Sequence, residues 1–398
     1  MRAVIEKVLK NDTILLVSSI LAIISCFFVH PDQQYLTYIH VNTIAQLVCL
    51  MLVVCGLQRI GVFHFIGSRL LSKVGSESGL VLTLVLLTFF SSMFITNDVA
   101  LVTFIPFALS VLVMADMQGS TVLVVTLMTV GANTGSMLTP IGNAHNLYMR
   151  AISNTSTVRF LQIMGPYSLV SLAMLLVVTL LVFRRKPISA TLAKLDSEGL
   201  EKTVLAPVEN AERPDEIRLL GYGGGNGGWR ALVYVILFLV CALTVGNLLP
   251  LWLMCALVFV TFLVCDRRAF MKVDWALPLT FIMFFIFIGN MRRVPQFASL
   301  AASLVGSHPL QVAVGASQLI SNVPTSILLS GFCSQWRPLI IGTNLGGLGT
   351  LIASMASLIS YQQVARKYPR RKGHYLVVYT AVNVVFLAVL LGLSVLIE

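Results

Sequence analysis

The sequence predicts an all-α polytopic membrane protein, built as an inverted repeat with two re-entrant hairpins and two broken helices. Three observations carry this prediction. Hydrophobic residues make up 57% of the 398 and charged residues 11%, where a soluble domain carries about 25% charged residues. Apolar runs near the ~20 residues needed to cross a bilayer recur along the chain. Two further runs are interrupted midway by polar residues, at Thr96-Asn97-Asp98 and at Ser321-Asn322-Val323-Pro324-Thr325.

In chain order, the run Ile14 to Val29 meets Pro31 and polar residues without a small-x-small exit, so 12–30 reads as a first membrane helix and not as a cleaved signal peptide. A second helix covers 40–58. Residues 62–75 mix apolar positions at helical spacing with Arg69 and Lys73, which predicts an interfacial amphipathic helix; 294–306, with Ser299 and Ser303, predicts another. Interrupted residues 79–115 and 309–335 form the hairpins. Each arm is short for a span, and a non-helical tip is tolerated only when buried in protein or lining a wet cavity. The helix 119–149 is broken at Thr139-Pro140-Ile141-Gly142-Asn143, and 336–365 at Gly346-Gly347-Leu348-Gly349-Thr350. Unbroken spans are expected at 158–183, 230–247, 250–265, 274–290 and 373–397.

The hydrophilic insert 184–229 holds seven basic and seven acidic residues and separates a first repeat, 1–183, from a second, 230–398. Gly223-x-Gly225-x-x-Gly228 formally matches a dinucleotide fingerprint, but a membrane helix follows it and no strand precedes it, so it reads as flexible linker. The net charge of +11 sits in short clusters at the ends of apolar runs, with no basic stripe interleaved with aromatics, which argues against nucleic acid. The seven cysteines contain no Cys-x-x-Cys and read as reduced packing residues, with no metal site or disulfide framework.

The two halves align. A shift of 225 pairs Ser92, Ile95, Asn97 and Phe107 with Ser317, Ile320, Asn322 and Phe332, and Thr96 with Ser321. A shift of 211 pairs 131–147 with 342–358 through a shared Gly, Asn, Gly, Thr, Ile and Leu. A shift of 233 pairs Gly56-x-x-Arg59 with Gly289-x-x-Arg292. Five crossings separate the two tips, and an odd number inverts the second copy. With the N-terminus cytoplasmic, 22 of the 27 Lys and Arg lie inside, leaving Arg150, Arg159, Arg292, Arg293 and Arg337 outside.

Inverted repeats with broken helices place a transport site where the discontinuities meet. The two tips and two breaks are expected to converge, offering freed carbonyls to a cation and helix N-termini to an anion. Candidate substrate-binding residues are Thr96, Asn97, Asn143, Ser321, Asn322, Thr325 and Thr350; candidate coupling-ion residues are Asp98, Asn97, Ser92, Gly142 and Asn322. Asp98 is the acid placed near the midplane, since Asp116 falls at the hairpin exit. It could carry a proton, ligate sodium, or cap the second arm of the hairpin. His145 is a further candidate proton carrier, set against a packing role. No cofactor is expected beyond a sodium ion that the site could bind.

The segments FITNDVALVTFIPF, GSMLTPIGNAHNLY and SQLISNVPTSILL resemble the signature segments of the ion transporter superfamily, especially its citrate transporter-like and arsenical pump-like members, and the likeness covers nearly the whole chain. It implies an elevator-type transporter: a domain of hairpins and broken helices slides against a scaffold that often forms a homodimer. In the related dicarboxylate/sodium symporters Ser-Asn-Thr at each tip helps bind sodium and substrate carboxylates. Thr96 and Asn97 match the first tip, with Asp98 in place of Thr; Ser321 and Asn322 match the second, with Val323 in place of Thr. Gly142-Asn143 stands for that branch's Gly-Thr, and the second break lacks its Thr-Pro-Pro-Asn. These departures favour an arsenical pump-like or other anion branch.

The expected function is therefore cation-coupled transport of a small anion or oxyanion across the cell membrane, with sodium/proton exchange as the runner-up. A channel would need a continuous polar path, and an enzyme a constellation such as His-Glu-x-x-His or paired carboxylates; neither pattern appears. Without a Walker motif the chain alone is no primary pump, although arsenical pump-like carriers can associate with a separate ATPase. On a cysteine-free background, single cysteines at Lys372 and within 184–229 should label from the cytoplasm and one at Ser307 from outside; labelling of Lys372 and Ser307 from the same side would refute the inverted topology.

Overall fold

Helices account for all the regular structure in the computed structural model, whose described residues are 13–71, 74–183, 186–187 and 227–397; no strand occurs among them. The segment 1–12 and most of the 184–229 insert, including much of its glycine run, lie outside the described residues. The first half comprises α1 (Thr13–Phe28), α2 (Val41–Arg59), α3 (Val62–Leu71), α4 (Glu77–Ile95), α5 (Asn97–Met114), α6 (Thr121–Ser136), α7 (Ala144–Ile152) and α8 (Thr157–Val182). The second comprises α9 (Gly227–Val245), α10 (Leu251–Cys265), α11 (Ala276–Arg292), α12 (Pro295–Gly306), α13 (Pro309–Ile320), α14 (Asn322–Ser330), α15 (Trp336–Leu345), α16 (Met355–Lys367) and α17 (Lys372–Ile397).

Among the described residues α2, α4, α5, α8 and the run Pro369–Ile397 containing α17 are long and apolar enough to cross a membrane. The chain is thus a multi-pass membrane protein. Between α11 and α12 it turns by 104°. Pro295, at the start of α12, fits the first helical turn, where its missing N–H costs nothing, and it pushes Val294 out of the helical region to φ −97, ψ 103. The amphipathic stretch 294–306 therefore forms a helix of its own, as does its counterpart at 62–75 over Val62–Leu71, with 72–73 outside the described residues.

Three expectations need correction. The arms of the first hairpin are not short: α4 has 19 residues and α5 has 18, about 28 Å at the helical rise, and each could cross a bilayer. The early start has a local cause, because Ser76 Oγ accepts the Gly79 N–H at 3.2 Å and Glu77 sits in the positive first turn. Only the second hairpin has short arms, of 12 and 9 residues. The first break opens earlier than expected, after Ser136, and the second extends beyond Thr350 through a 3-10 turn, Leu351–Ala353, before α16 begins.

Both hairpins turn through a single non-helical residue of the same conformation. Thr96 has φ 65, ψ 150 and Ser321 has φ 74, ψ 153, a region occupied essentially by glycine and costing other residues about 1–3 kcal/mol. A β-branched threonine keeps such a backbone only where its surroundings over-determine it.

Glycines supply the closest helix contacts. In α6, Gly131-Ala132-Asn133-Thr134-Gly135 faces α4: a β-carbon on Gly135 would lie 2.0 Å from the Phe89 carbonyl oxygen and 2.7 Å from Ser92 Oγ. In α15, Gly342-Thr343-Asn344-Leu345-Gly346 faces α13, where a β-carbon on Gly342 would lie 2.6 Å from the Leu310 carbonyl oxygen and one on Gly346 2.5 Å from Ser317 Oγ. Paired glycines four residues apart let helix backbones approach in a membrane, where association relies on van der Waals packing. Each incoming hairpin arm thus packs on the first part of the broken helix that follows it.

The described residues divide into two compact units that do not follow the hydrophilic insert. One draws on Met1–Cys55, Ala144–Thr157 and Leu237–Gly346, the other on Gly56–Asn143, Val158–Ile236 and Gly347–Glu398. Two of the boundaries fall inside the helix breaks. Each unit therefore combines one hairpin with the first part of its own broken helix and the second part of the other. Gly135→Ala should lower the thermal unfolding midpoint of the purified protein and cost about 1–3 kcal/mol, as over-packing does, because the Phe89 carbonyl is backbone and cannot swing aside; Gly119→Ala, with open space around it, should leave the midpoint unchanged.

Candidate functional site

Each unit holds its own group of candidate residues. In the first, Asn97 opens α5 immediately after the strained Thr96, and all its polar groups are engaged. Its backbone N–H donates to the Gly142 carbonyl at 3.2 Å, joining the hairpin tip to the first break. Its Nδ2 donates to Asn133 Oδ1 at 3.0 Å, and its Oδ1 accepts the Asp98 N–H at 3.0 Å. At that N–H the cap is therefore Asn97. Asp98 itself lies half-buried in the first turn of α5, where the helix dipole favours its negative charge.

Asn133 then connects this tip to the second break. Its Oδ1 also accepts Ser354 Oγ at 3.2 Å, and its Nδ2 donates to the Gly347 carbonyl at 3.4 Å. Within the first break, the Gly142 N–H donates to Thr139 Oγ1 at 3.0 Å, and the Thr139 hydroxyl donates to the Met93 carbonyl of α4. Gly142 is pressed so closely on the Ser136 backbone that a β-carbon would lie 2.3 Å from its carbonyl oxygen. Asn143 is buried at the end of this break. Ser92 is also buried, with its hydroxyl donated to the Phe89 carbonyl of its own helix, and Thr350 is exposed.

In the second unit, Ser321 and Asn322 are both buried at the other tip, and Ser321 Oγ donates to Asn322 Oδ1 at 3.5 Å. Thr325 hydrogen-bonds through its backbone N–H and its hydroxyl to the Ser321 carbonyl, at 3.1 and 2.8 Å. Gln318 Nε2 reaches the Gly346 carbonyl at 3.0 Å, linking the incoming arm to the start of the second break. Asn344, the counterpart of Asn133 at a shift of 211, donates to Asn146 Oδ1 at 2.8 Å and to the Ile340 carbonyl at 2.9 Å. His145 is fully buried against Asn344.

The structure thus brings Thr96, Asn97, Asp98, Gly142 and Asn143 together with the two breaks in one unit, and Ser321, Asn322 and Thr325 with Gly346 in the other. Sequence reasoning did not single out Asn133, Asn344 or Gln318. The signal for the two asparagines was present: each is the shared Asn of the aligned segments and lies midway between the paired glycines. The glycine face that brings α6 onto α4 carries Asn133 to the first hairpin tip, whereas Asn344 on the matching face bonds Asn146 of α7 and its own helix.

Comparison with known proteins agrees with the segment resemblance. The profile of a family described as citrate transporter, CitMHS, matches residues 2–335. The chain is 28% identical over 342 residues to the inner membrane protein YbiR of Escherichia coli (strain K12), covering 85% of this chain and 83% of that protein. It is 28% identical over 321 residues to the uncharacterized transporter MJ0456 of Methanocaldococcus jannaschii, covering 80% of each.

The Asn97–Asn133 bond is open to a double-mutant cycle. Asn97→Ala and Asn133→Ala should each destabilise the purified protein by about 1–3 kcal/mol, because each leaves a buried amide short of a partner. The double variant should fall short of the sum by about 0.5–3 kcal/mol, read from equilibrium unfolding; strict additivity would mean that the bond contributes nothing.

Proposed function

The chain belongs to the citrate transporter (CitMHS) family, and from that premise we propose that it is a cation-coupled secondary transporter carrying a small anion or oxyanion across the membrane by an elevator mechanism. The observation that carries this reading is the pair of hairpin tips. Two glycine-like turns at non-glycine residues, each followed at once by an asparagine that opens a helix, are backbone strain of the kind that collects at functional sites, and they support this reading. The N-terminus of α14, at Asn322, offers N–H groups to an anion, whereas at α5 the Asn97 and Asp98 N–H groups are already taken. Carbonyls freed at the breaks and the oxygens of Asn97 and Asn322 suit a cation. The inverted relation of the two halves, with the N-terminus cytoplasmic, would let each hairpin face one side of the membrane. The same reading carries a homodimer assembled through the scaffold.

Asp98 is assigned to coupling. A carboxylate in the first turn of α5, beside the amide that ties the tip to both breaks, can take up a proton and cross in the neutral form, or give sodium a hard oxygen ligand. Thr96, Asn97, Asn143, Ser321, Asn322, Thr325 and Thr350 are assigned to substrate, and Ser92, Gly142, Asn97 and Asn322 to the coupling ion along with Asp98. Sodium/proton exchange without an organic substrate is the second reading, because Asp98 alone could serve it.

Reconstituted vesicles with independently imposed pH and sodium gradients test the assignment. In Asp98→Asn, which keeps size and polarity but cannot titrate, gradient-driven uptake of labelled substrate should fall by tenfold or more (about 1.4 kcal/mol) while substrate exchange persists. Normal proton-coupled transport by the variant would sink the proton role. Loss of apparent sodium affinity would assign sodium instead, and gradient dissipation with no anion flux at all would favour the exchanger.

A further inference from the structure

The unit that holds the second hairpin also contains a cavity of about 820 Å³, bounded by the C-terminal end of α11, the bend into α12, the end of α14 and the start of α15. This volume is within the ~300–1,000 Å³ typical of small-molecule sites. Rings line part of its wall, among them those of His40, Tyr148, Phe285, Phe332 and Trp336. Tyr148 and His40 each approach the Phe285 ring at 5.2 Å between centroids. The Tyr148 hydroxyl shares a 2.9 Å hydrogen bond with Ser330 Oγ, so the wall also presents oriented dipoles. Gly289 admits the Tyr38 ring to the wall, since a β-carbon there would lie 2.3 Å from it.

Two consecutive arginines at this place have different surroundings. Arg293 is neutralised: its Nη1 lies 2.8 Å from Asp32 Oδ2 and 3.0 Å from the Tyr38 hydroxyl. Those two partners, the Tyr38 hydroxyl first, hold the guanidinium above its ordinary range. Arg292 has no ion-pair partner among the described residues, and it is the one residue with a permanent charge among those lining the cavity. An uncompensated guanidinium repels cations and pairs with carboxylates, while ring faces and edges favour a flat apolar body.

We propose that this cavity is a binding site for an organic anion with an apolar, aromatic-sized body, its carboxylate on Arg292 and its body against Tyr148, Phe285 and Trp336. The site is separate from the hairpin tips and makes no use of Asn97, Asp98 or Asn322. Its occupant need not be the transported species.

The test is calorimetric titration of the full chain in phosphatidylcholine nanodiscs with potassium benzoate at fixed ionic strength, with acetate and benzyl alcohol as comparators lacking the body and the charge. Saturable benzoate binding is expected, with both comparators at least about tenfold weaker. Arg292→Gln should weaken benzoate by about tenfold or more, as loss of a charge-assisted contact does, and Arg292→Lys should recover part of it. Arg292 is exposed, so both variants should unfold at the wild-type temperature. Held below its own unfolding midpoint, the Asn97→Ala/Asn322→Ala double variant should bind benzoate as the wild type does. Absence of saturable binding, or wild-type affinity in Arg292→Gln, would overturn the proposal. Loss of binding in the asparagine double variant would also overturn it, by moving benzoate to the hairpin tips, and would leave the transport reading intact.

Discussion

A helix can be interrupted inside a bilayer only where protein supplies the partners that water would otherwise provide, and in this chain the amide of Asn133 does so for two interruptions at once. It accepts from Asn97 at the first hairpin tip and from Ser354 beyond the second break, and it donates to the Gly347 carbonyl. Asn97 extends the connection to the first break through the Gly142 carbonyl. Three discontinuities from separate parts of the sequence are therefore held by two neighbouring amides. Each bond contributes about a kilocalorie net, but leaving one of these buried groups unpaired costs more than that, so the arrangement resists partial loss.

The amide can reach this position only because of the glycines beside it. Gly131 and Gly135 bring α6 against α4 at backbone distance, and Gly342 and Gly346 do the same for α15 against α13. In both places the hairpin serine, Ser92 or Ser317, meets the second glycine; the central Asn133 reaches the hairpin tip, whereas the central Asn344 bonds Asn146 and its own helix. Close packing also accounts for the strained tips. A turn costing about 1–3 kcal/mol is sustained when both arms are pinned, and α4 is pinned along its length by α6.

The two parts are equivalent in sequence position and unequal in bonding. Asn97 donates to Asn133, whereas Asn344 turns to Asn146 and Ile340, and Asn322 receives the Ser321 hydroxyl at the long distance of 3.5 Å. On the proposed mechanism the difference has a direct meaning. Halves related by the proposed inversion would face opposite sides of the membrane and would not share one conformation in any one state. The adjacent arginines make a similar point at smaller scale: Arg292 and Arg293 are identical in type, and the position of Asp32 decides which is neutralised.

The sequence by itself determined the membrane environment, the succession of apolar helices, both hairpin tips and both breaks, because hydrophobic length, proline, glycine and buried polar residues act locally and leave their marks in order along the chain. It also carried the matched Ser, Asn and Gly positions that recur at the tips and on the glycine faces. Arm lengths were less legible, since the Ser76 cap that starts α4 at Glu77 is a matter of side-chain direction. Tertiary structure alone decided the φ of Thr96 and Ser321, the role of Asn133, and the exchange by which each broken helix gives its second part to the other hairpin's unit. These depend on which backbones come within hydrogen-bond reach once the helices pack. Residues more than two hundred positions apart, such as Asn133 and Ser354, have no local signal by which to announce that they will meet.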